Sequence, residues 1–350
     1  MKKALPVMLA GLMLAGTAFA GIQAVQMTRS QALEQALTHS GDIMLDELNL
    51  ELQTLQHENA LRNARITPID TYQGRMTKEV TPYVQETALI LREMTNERNR
   101  KLLELSMVSL GFDLAAARTD LETSLSAYEK ALASQTDALS FGSLTSIEKL
   151  NHEAEVLSRR ISLDKATNRV RNLEEDQAIL LGQENVAFDL PLVCPDPYGI
   201  DVDKAVTSAR RTDITLFSLE RDVRAKEMTY AILKEFQGIN HADTLAGLES
   251  LERSKLNLSK GIRSLEVAVR NAVDDLKTRH DTLSLNLLNL DIRKENLNIV
   301  KRQRASGMVT QTALDAAQSL YDQAQNEYMR NLGAYQKARL AFAIDTGFDF

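Results

Sequence analysis

Apolar residues recur at intervals of seven along much of this chain. Val269, Leu276, Leu283, Leu290 and Leu297 form one such series. Leu285, Ile292 and Ile299 form a second, two residues out of phase and about 200° around an α-helix from the first. A two-stranded coiled coil needs one seam. Two seams on one helix predict a helix sandwiched between neighbours, as in a bundle interior or the wall of a helical tube. Leu114, Leu121 and Tyr128 interleave with Leu125, Leu132 and Leu139 in the same way. Proline, which breaks helix interiors, occurs after residue 20 only at Pro68, Pro82, Pro191, Pro195 and Pro197, so 83–190 and 198–350 are free to be helical. A helix from Tyr83 to Ser140 would run about 85 Å, at about 1.5 Å per residue.

The pattern is written twice. Phe141-Gly142-Ser143-Leu144-Thr145 returns as Ser306-Gly307-Met308-Val309-Thr310, and a second glycine follows each, Gly182 and Gly347, at the same spacing. Asp42-Ile43 returns as Asp213-Ile214, and Met27 to Leu37 loosely matches Ile200 to Arg210. The reading is a signal peptide at 1–20, a first helical repeat at 21–182, a proline-rich linker at 183–199 crossing the surface in extended form, and a second helical repeat at 200–350. The signal peptide rests on Lys2 and Lys3, the apolar run Ala4–Gly16 and the small-x-small site Ala18-Phe19-Ala20. It predicts an exported protein.

Composition narrows the chemistry. The chain carries 41 basic and 48 acidic residues, a formal charge of −7, which disfavours nucleic acid as a partner. Cys194 is alone, so no intrachain disulfide can form, and stability must come from packing or oligomerisation. His39, His57, His152, His241 and His280 are scattered and make no metal-binding spacing. Asp196, Asp201 and Asp203 lack the loop glycine and terminal glutamate of a calcium loop, and helix capping by Asp201 or Asp203 is the simpler reading. Arg98-Asn99-Arg100-Lys101 and Arg159-Arg160 read as salt-bridged helix exteriors. No catalytic, cofactor-binding or metal-binding set is expected, and the chain reads as a protein other than an enzyme.

The run Gly307-Met308-Val309-Thr310, then Ala313-Leu314-Asp315-Ala316-Ala317-Gln318-Ser319-Leu320-Tyr321, then Ala324, Ala334 and Ala338 before Gly347, resembles the closing helix of TolC-like outer-membrane efflux proteins. Thr28 to Arg65 resembles the family's first helix, and Asp201 to Phe236 its counterpart. The resemblance implies an all-α fold of long antiparallel coiled-coil helices in two tandem pseudo-symmetric repeats, a TolC-like α-barrel. It also implies a place in the periplasm or outer membrane of a diderm bacterium, and a homotrimer working with a periplasmic adaptor protein and an inner-membrane transporter in efflux or type I secretion.

The family inserts a β-hairpin between the first and second helices of each repeat, and two membrane strands with a loop need well over about twenty residues. The non-helical stretch from about Ile66 to Thr77 is too short, and Ile239 to Lys260 is rich in Ala, Leu and Glu without alternation. The membrane β-barrel is therefore expected to be absent or vestigial, which leaves open an alternative: a non-conducting structural or interaction protein of the envelope.

By the same resemblance, the turns Gly142-Ser143-Leu144-Thr145 and Gly307-Met308-Val309-Thr310 would be the adaptor-docking end. Thr312 and Asp315 would stand where family members carry two aspartates at a narrow aperture.

Overall fold

A computed structural model of the protein describes residues 25–140 and 145–350. The expected signal peptide and Gly142, Ser143 and Leu144 lie outside the described residues. Helices dominate, and their lengths repeat. α1 (Arg29–His39) and α6 (Val202–Thr212) have 11 residues each. α2 (Gly41–Ile66) and α7 (Ile214–Gln237) have 26 and 24. α4 (Thr81–Ser140) and α8 (Ala242–Ala305) have 60 and 64, and α5 (Ser146–Leu181) and α9 (Gln311–Thr346) have 36 each. The duplication read from scattered glycines is thus a duplication of helix lengths.

Each repeat opens on a short helix broken from the next by a cap. Ser40 Oγ accepts from the Ile43 amide, and Asp213 Oδ1 accepts from the Leu216 amide. These roles match Ser40 with Asp213, and buried Ile43 with buried Leu216. The sequence pairing of Asp42-Ile43 with Asp213-Ile214 is therefore two residues out of register: a capping side chain marks a helix start better than local identity does.

Each repeat closes on a left-handed glycine. Gly182 has φ 65° and Gly347 φ 62°, which ends α5 and α9. A Cβ on Gly182 would lie 2.2 Å from the His39 ring, and one on Gly347 would lie 2.7 Å from Thr212 Cγ2. His39 and Thr212 are the last residues of α1 and α6, so both glycines allow the closing helix to seat against the opening one.

The described chain gathers into two compact units, each drawing on both repeats. The first comprises the described residues up to His39, Ser106–Val193 and Asp281–Lys337. Within it Leu114 and Ala117 of α4 bury against Val170 of α5, flanked by Leu121 and Leu173. α4 also runs antiparallel to α9, with acids on one matched to bases on the other. Lys337 Nζ donates to Asp113 Oδ2 at 2.8 Å, and an Arg330 guanidinium donates to Asp120, each pair one heptad from the next. These groups are substantially exposed, so each pair contributes about 0–1 kcal/mol, while a fully buried Leu332 contributes about 1.5–3 kcal/mol. Packing holds the helices together, and the facing acids and bases add a small bias toward this pairing.

The first unit also holds the described strands. β1 (Val25–Met27) pairs in parallel with β2 (Val186–Phe188), Val25 opposite Val186 and Met27 opposite Phe188. The linker is therefore not simply extended over the surface: Val186 is buried, and so is Pro197 in the second unit. Among the described residues these two three-residue strands are the whole sheet content, and no barrel closes.

The second unit comprises Ser40–Leu105, Cys194–His280 and Ala338–Phe350. Arg98 Nη2 donates to Asp345 Oδ1 at 2.7 Å, Arg100 to Glu47 at 2.8 Å and Lys101 to Glu97 at 2.6 Å, the salt-bridged exterior expected of that basic cluster. Asp201 Oδ1 caps α6 by accepting from the Lys204 amide at 3.1 Å, also as expected. The connections are tighter than the sequence suggested. After Ile66 only 67–71 is irregular; Thr71 then caps α3 (Tyr72–Arg75), and a π-helical turn, Met76–Val80, leads into α4. In the second repeat the stretch from Ile239 to Lys260 is helical from Ala242 onward, where Ala- and Leu-rich residues favour helix, and the connection shrinks to 238–241.

Replacing Gly182 or Gly347 with alanine should cost at least about 1–2 kcal/mol for the left-handed backbone alone, plus relief of the contact with His39 or Thr212. Thermal unfolding checks this. Adding His39→Ala to Gly182→Ala should recover the contact penalty and leave the backbone one; complete recovery would refute the left-handed strain.

Candidate functional site

Of the two turns, the one between α8 and α9 is described in full. Gly307 has φ 73°; its amide donates to Arg304 O at 3.0 Å while the Met308 amide donates to Gln303 O at 2.9 Å. That is a Schellman end, which satisfies two of the last carbonyls of α8. Met308 then projects into solvent, 77% exposed, with Val309 half-buried behind it. Thr310 starts α9: its Oγ1 accepts from the Ala313 amide at 3.2 Å.

Thr145 plays the matching part in the first repeat, capping α5 with a reciprocal box. The Glu148 amide donates to Thr145 Oγ1 at 3.3 Å, and the Thr145 amide donates to Glu148 Oε2 at 2.7 Å. The hydrogen bond from the Thr145 amide, then that from its hydroxyl, hold the Glu148 carboxyl below its ordinary pKa. Both threonines are thus engaged in cap hydrogen bonds, and Met308 is the described turn residue with a large free apolar side chain.

Thr312 is exposed on the first turn of α9. Asp315 is half-buried, 3.4 Å from Lys130 Nζ on α4, and its Oδ1 accepts from Gln311 Nε2 at 3.2 Å. Within the protomer its charge therefore meets a cation that sequence spacing did not bring into view.

The larger feature missed in the sequence lies beside the turns. On α5, Ile147, Leu150, Ala154, Leu157 and Ile161 follow the 3-4-3-4 spacing of a coiled-coil seam, yet all five are exposed, Ile147 at 71% and Ile161 at 47%. On α8 the seam Val269, Leu276, Leu283 and Leu297 is buried, while Leu285, Leu288, Ile292 and Ile299 are exposed. The α5 spacing was available in the sequence, but Arg159-Arg160 drew attention to the same helix as a solvated face. Among the described residues no group of three or more His, Cys, Asp or Glu could hold a metal ion, and no helix is long and apolar enough to cross a membrane.

The arrangement matches known structures closely enough to fix the fold. The Campylobacter jejuni CmeC outer membrane channel superposes with a TM-score of 0.65 at 12% identity, over 95% of this chain and 91% of that one. A membrane protein from Pseudomonas aeruginosa gives 0.63 at 11% identity, over 94% and 92%. CusC, whose crystal structures concern transmembrane channel formation, gives 0.62 at 11% identity, over 95% of each chain. The chain has the fold of the TolC-family channels. No protein-family model matches the sequence, and no curated protein matches it.

Thr145→Ala should raise amide exchange over residues 146–149 about fivefold, the equivalent of about 1 kcal/mol of cap, without changing global unfolding. In the unsubstituted protein the Glu148 half of the box should hold above the carboxylate's unfolded pKa and be lost as pH falls through its lowered folded value. Exchange that ignores both substitution and acid would refute the capping role.

Proposed function

We propose that the chain is the tube-forming subunit of a cell-envelope efflux or type I secretion system, exported to the envelope and working with a periplasmic adaptor and an inner-membrane transporter. The TolC-like fold supports the class. The observation that carries the assembly is the pair of uncovered seams, Ile147 to Ile161 on α5 and Leu285 to Ile299 on α8, both in the first unit and both close in sequence to the turns.

Two different seams on one protomer make a heterologous interface, which closes into a ring when the rotation allows; the reading is a homotrimer. Covering the exposed half of a leucine or isoleucine is worth about 1 kcal/mol. The eight aliphatic side chains named on the two seams would then supply about 8 kcal/mol, within the 4–15 kcal/mol that association costs. A further exposed series on α2, Leu45, Leu48, Leu52 and Leu55, adds to the balance. In this reading the turns Gly142–Thr145 and Gly307–Thr310 dock the adaptor, with Met308 as the apolar contact, and Thr312 and Asp315 border the aperture with Asp315 charge-compensated by Lys130.

The absence of a closed barrel among the described residues favours a second reading, a non-conducting envelope scaffold built on the same trimer. Conductance across planar bilayers separates the two: steps support the tube, and a silent trimer supports the scaffold.

Leu157→Asp and Ile292→Asp should each convert a trimeric mass to a monomeric one by light scattering, with helicity retained. A wild-type monomer at micromolar concentration would overturn the ring. A photo-crosslinker in place of Met308 should capture the hairpin of a periplasmic adaptor in cells; capture of sister subunits alone would overturn docking at the turn.

A further inference from the structure

The two connections in the second unit share an unusual surface. Ile66 ends α2 at 77% exposure, Ile69 follows in the loop, and Ile239 projects from the other connection at 55%, next to exposed Phe236. An ion pair ties the two connections: Arg75 Nη1 donates to Glu235 Oε1 at 3.5 Å, while Arg75 Nε lies 2.7 Å from Glu79. One arginine thereby engages two of the nearby acids. Arg62, Arg65, Lys78 and Lys234 remain exposed around the isoleucines, and none of them makes an ion pair among the described residues. Asp70 and Asp243 are the remaining acids, so the five cations Arg62, Arg65, Arg75, Lys78 and Lys234 face the four acids Asp70, Glu79, Glu235 and Asp243, a balance of +1 here on a chain of formal charge −7.

The apolar side chains do not continue a coiled-coil seam. Ile69 and Ile239 sit in turns, off any helical register, and are poorly placed to enter the holes of a second copy's helix. Protruding isoleucines collared by lysine and arginine instead match the boundary of an anionic bilayer. There apolar side chains sink about 5–10 Å into the headgroup and acyl zone while cations meet lipid phosphates.

We propose that the paired connections, 66–71 and 236–241 with the collar Arg62, Arg65, Lys78 and Lys234, form an interfacial contact with an anionic lipid surface. This contact rests on the surface alone and does not depend on the tube reading.

The test is flotation of the full chain with vesicles of phosphatidylethanolamine and phosphatidylglycerol, against vesicles of phosphatidylcholine. The protein should float with the anionic vesicles and be released by salt. The double variant Ile66→Asp with Ile239→Asp should reduce partitioning about tenfold or more. Arg62→Gln with Arg65→Gln should reduce it on anionic vesicles only. Circular dichroism and light scattering accompany each variant, since all four positions are exposed and should leave fold and mass unchanged. No flotation of the wild type, or flotation indifferent to both double variants, would overturn the proposal. Loss of oligomeric mass in the isoleucine variant would also overturn it, by showing that a second copy covers these turns. Flotation by a protein that proves monomeric would support the lipid contact while refuting the ring.

Discussion

A helix with apolar seams on two sides must be covered twice, and this chain covers α8 once. Val269, Leu276, Leu283 and Leu297 are buried within the protomer, while Leu285, Leu288, Ile292 and Ile299 stay open. The rest of the architecture follows from finding neighbours for such helices. The duplicated plan supplies antiparallel partners of matching length, and the capped turns and closing glycines set where each helix stops. What one chain does not cover among the described residues remains as apolar surface.

Charge and apolar packing divide their labour. Asp113 with Lys337 and Asp120 with Arg330 are too exposed to contribute much to stability, and because the two pairs repeat at one heptad, a one-heptad slip would still set acid against base while leaving one pair unmade. The same economy holds at the turns, where Thr145 and Thr310 look like recognition residues in a repeated motif and are engaged in starting helices.

Much of this was legible in the sequence because its signals are local and periodic. Proline spacing bounded the helices, Gly307 marked the turn between α8 and α9, and Gly182 and Gly347 marked the closing caps. The absence of alternation after Ile239 argued against a hairpin, and Asp201 read correctly as a cap. What escaped depends on distance or on very short runs. Three residues of strand at Val25 and at Val186 carry no periodicity to detect. Lys130 meets Asp315 only through the pairing of α4 with α9, which no spacing announces. The open seam on α5 was readable in Ile147, Leu150, Leu157 and Ile161, but whether a seam is covered is a property of the folded chain.

The α4 to α9 pairing has a further consequence, in time. The groups it joins within the first unit are separated by 185 positions, from Lys130 to Asp315, up to 224, from Asp113 to Lys337. At about 5–20 residues per second of synthesis, α4 is complete for roughly 10–40 s before its partner exists. Through that interval Asp113 is without Lys337 and Asp120 is without Arg330, although α5 already offers Arg169 to Asp120 and Val170 to Leu114. The closure that completes the first unit is a long-range one of the slow kind, made by the last helix of the chain.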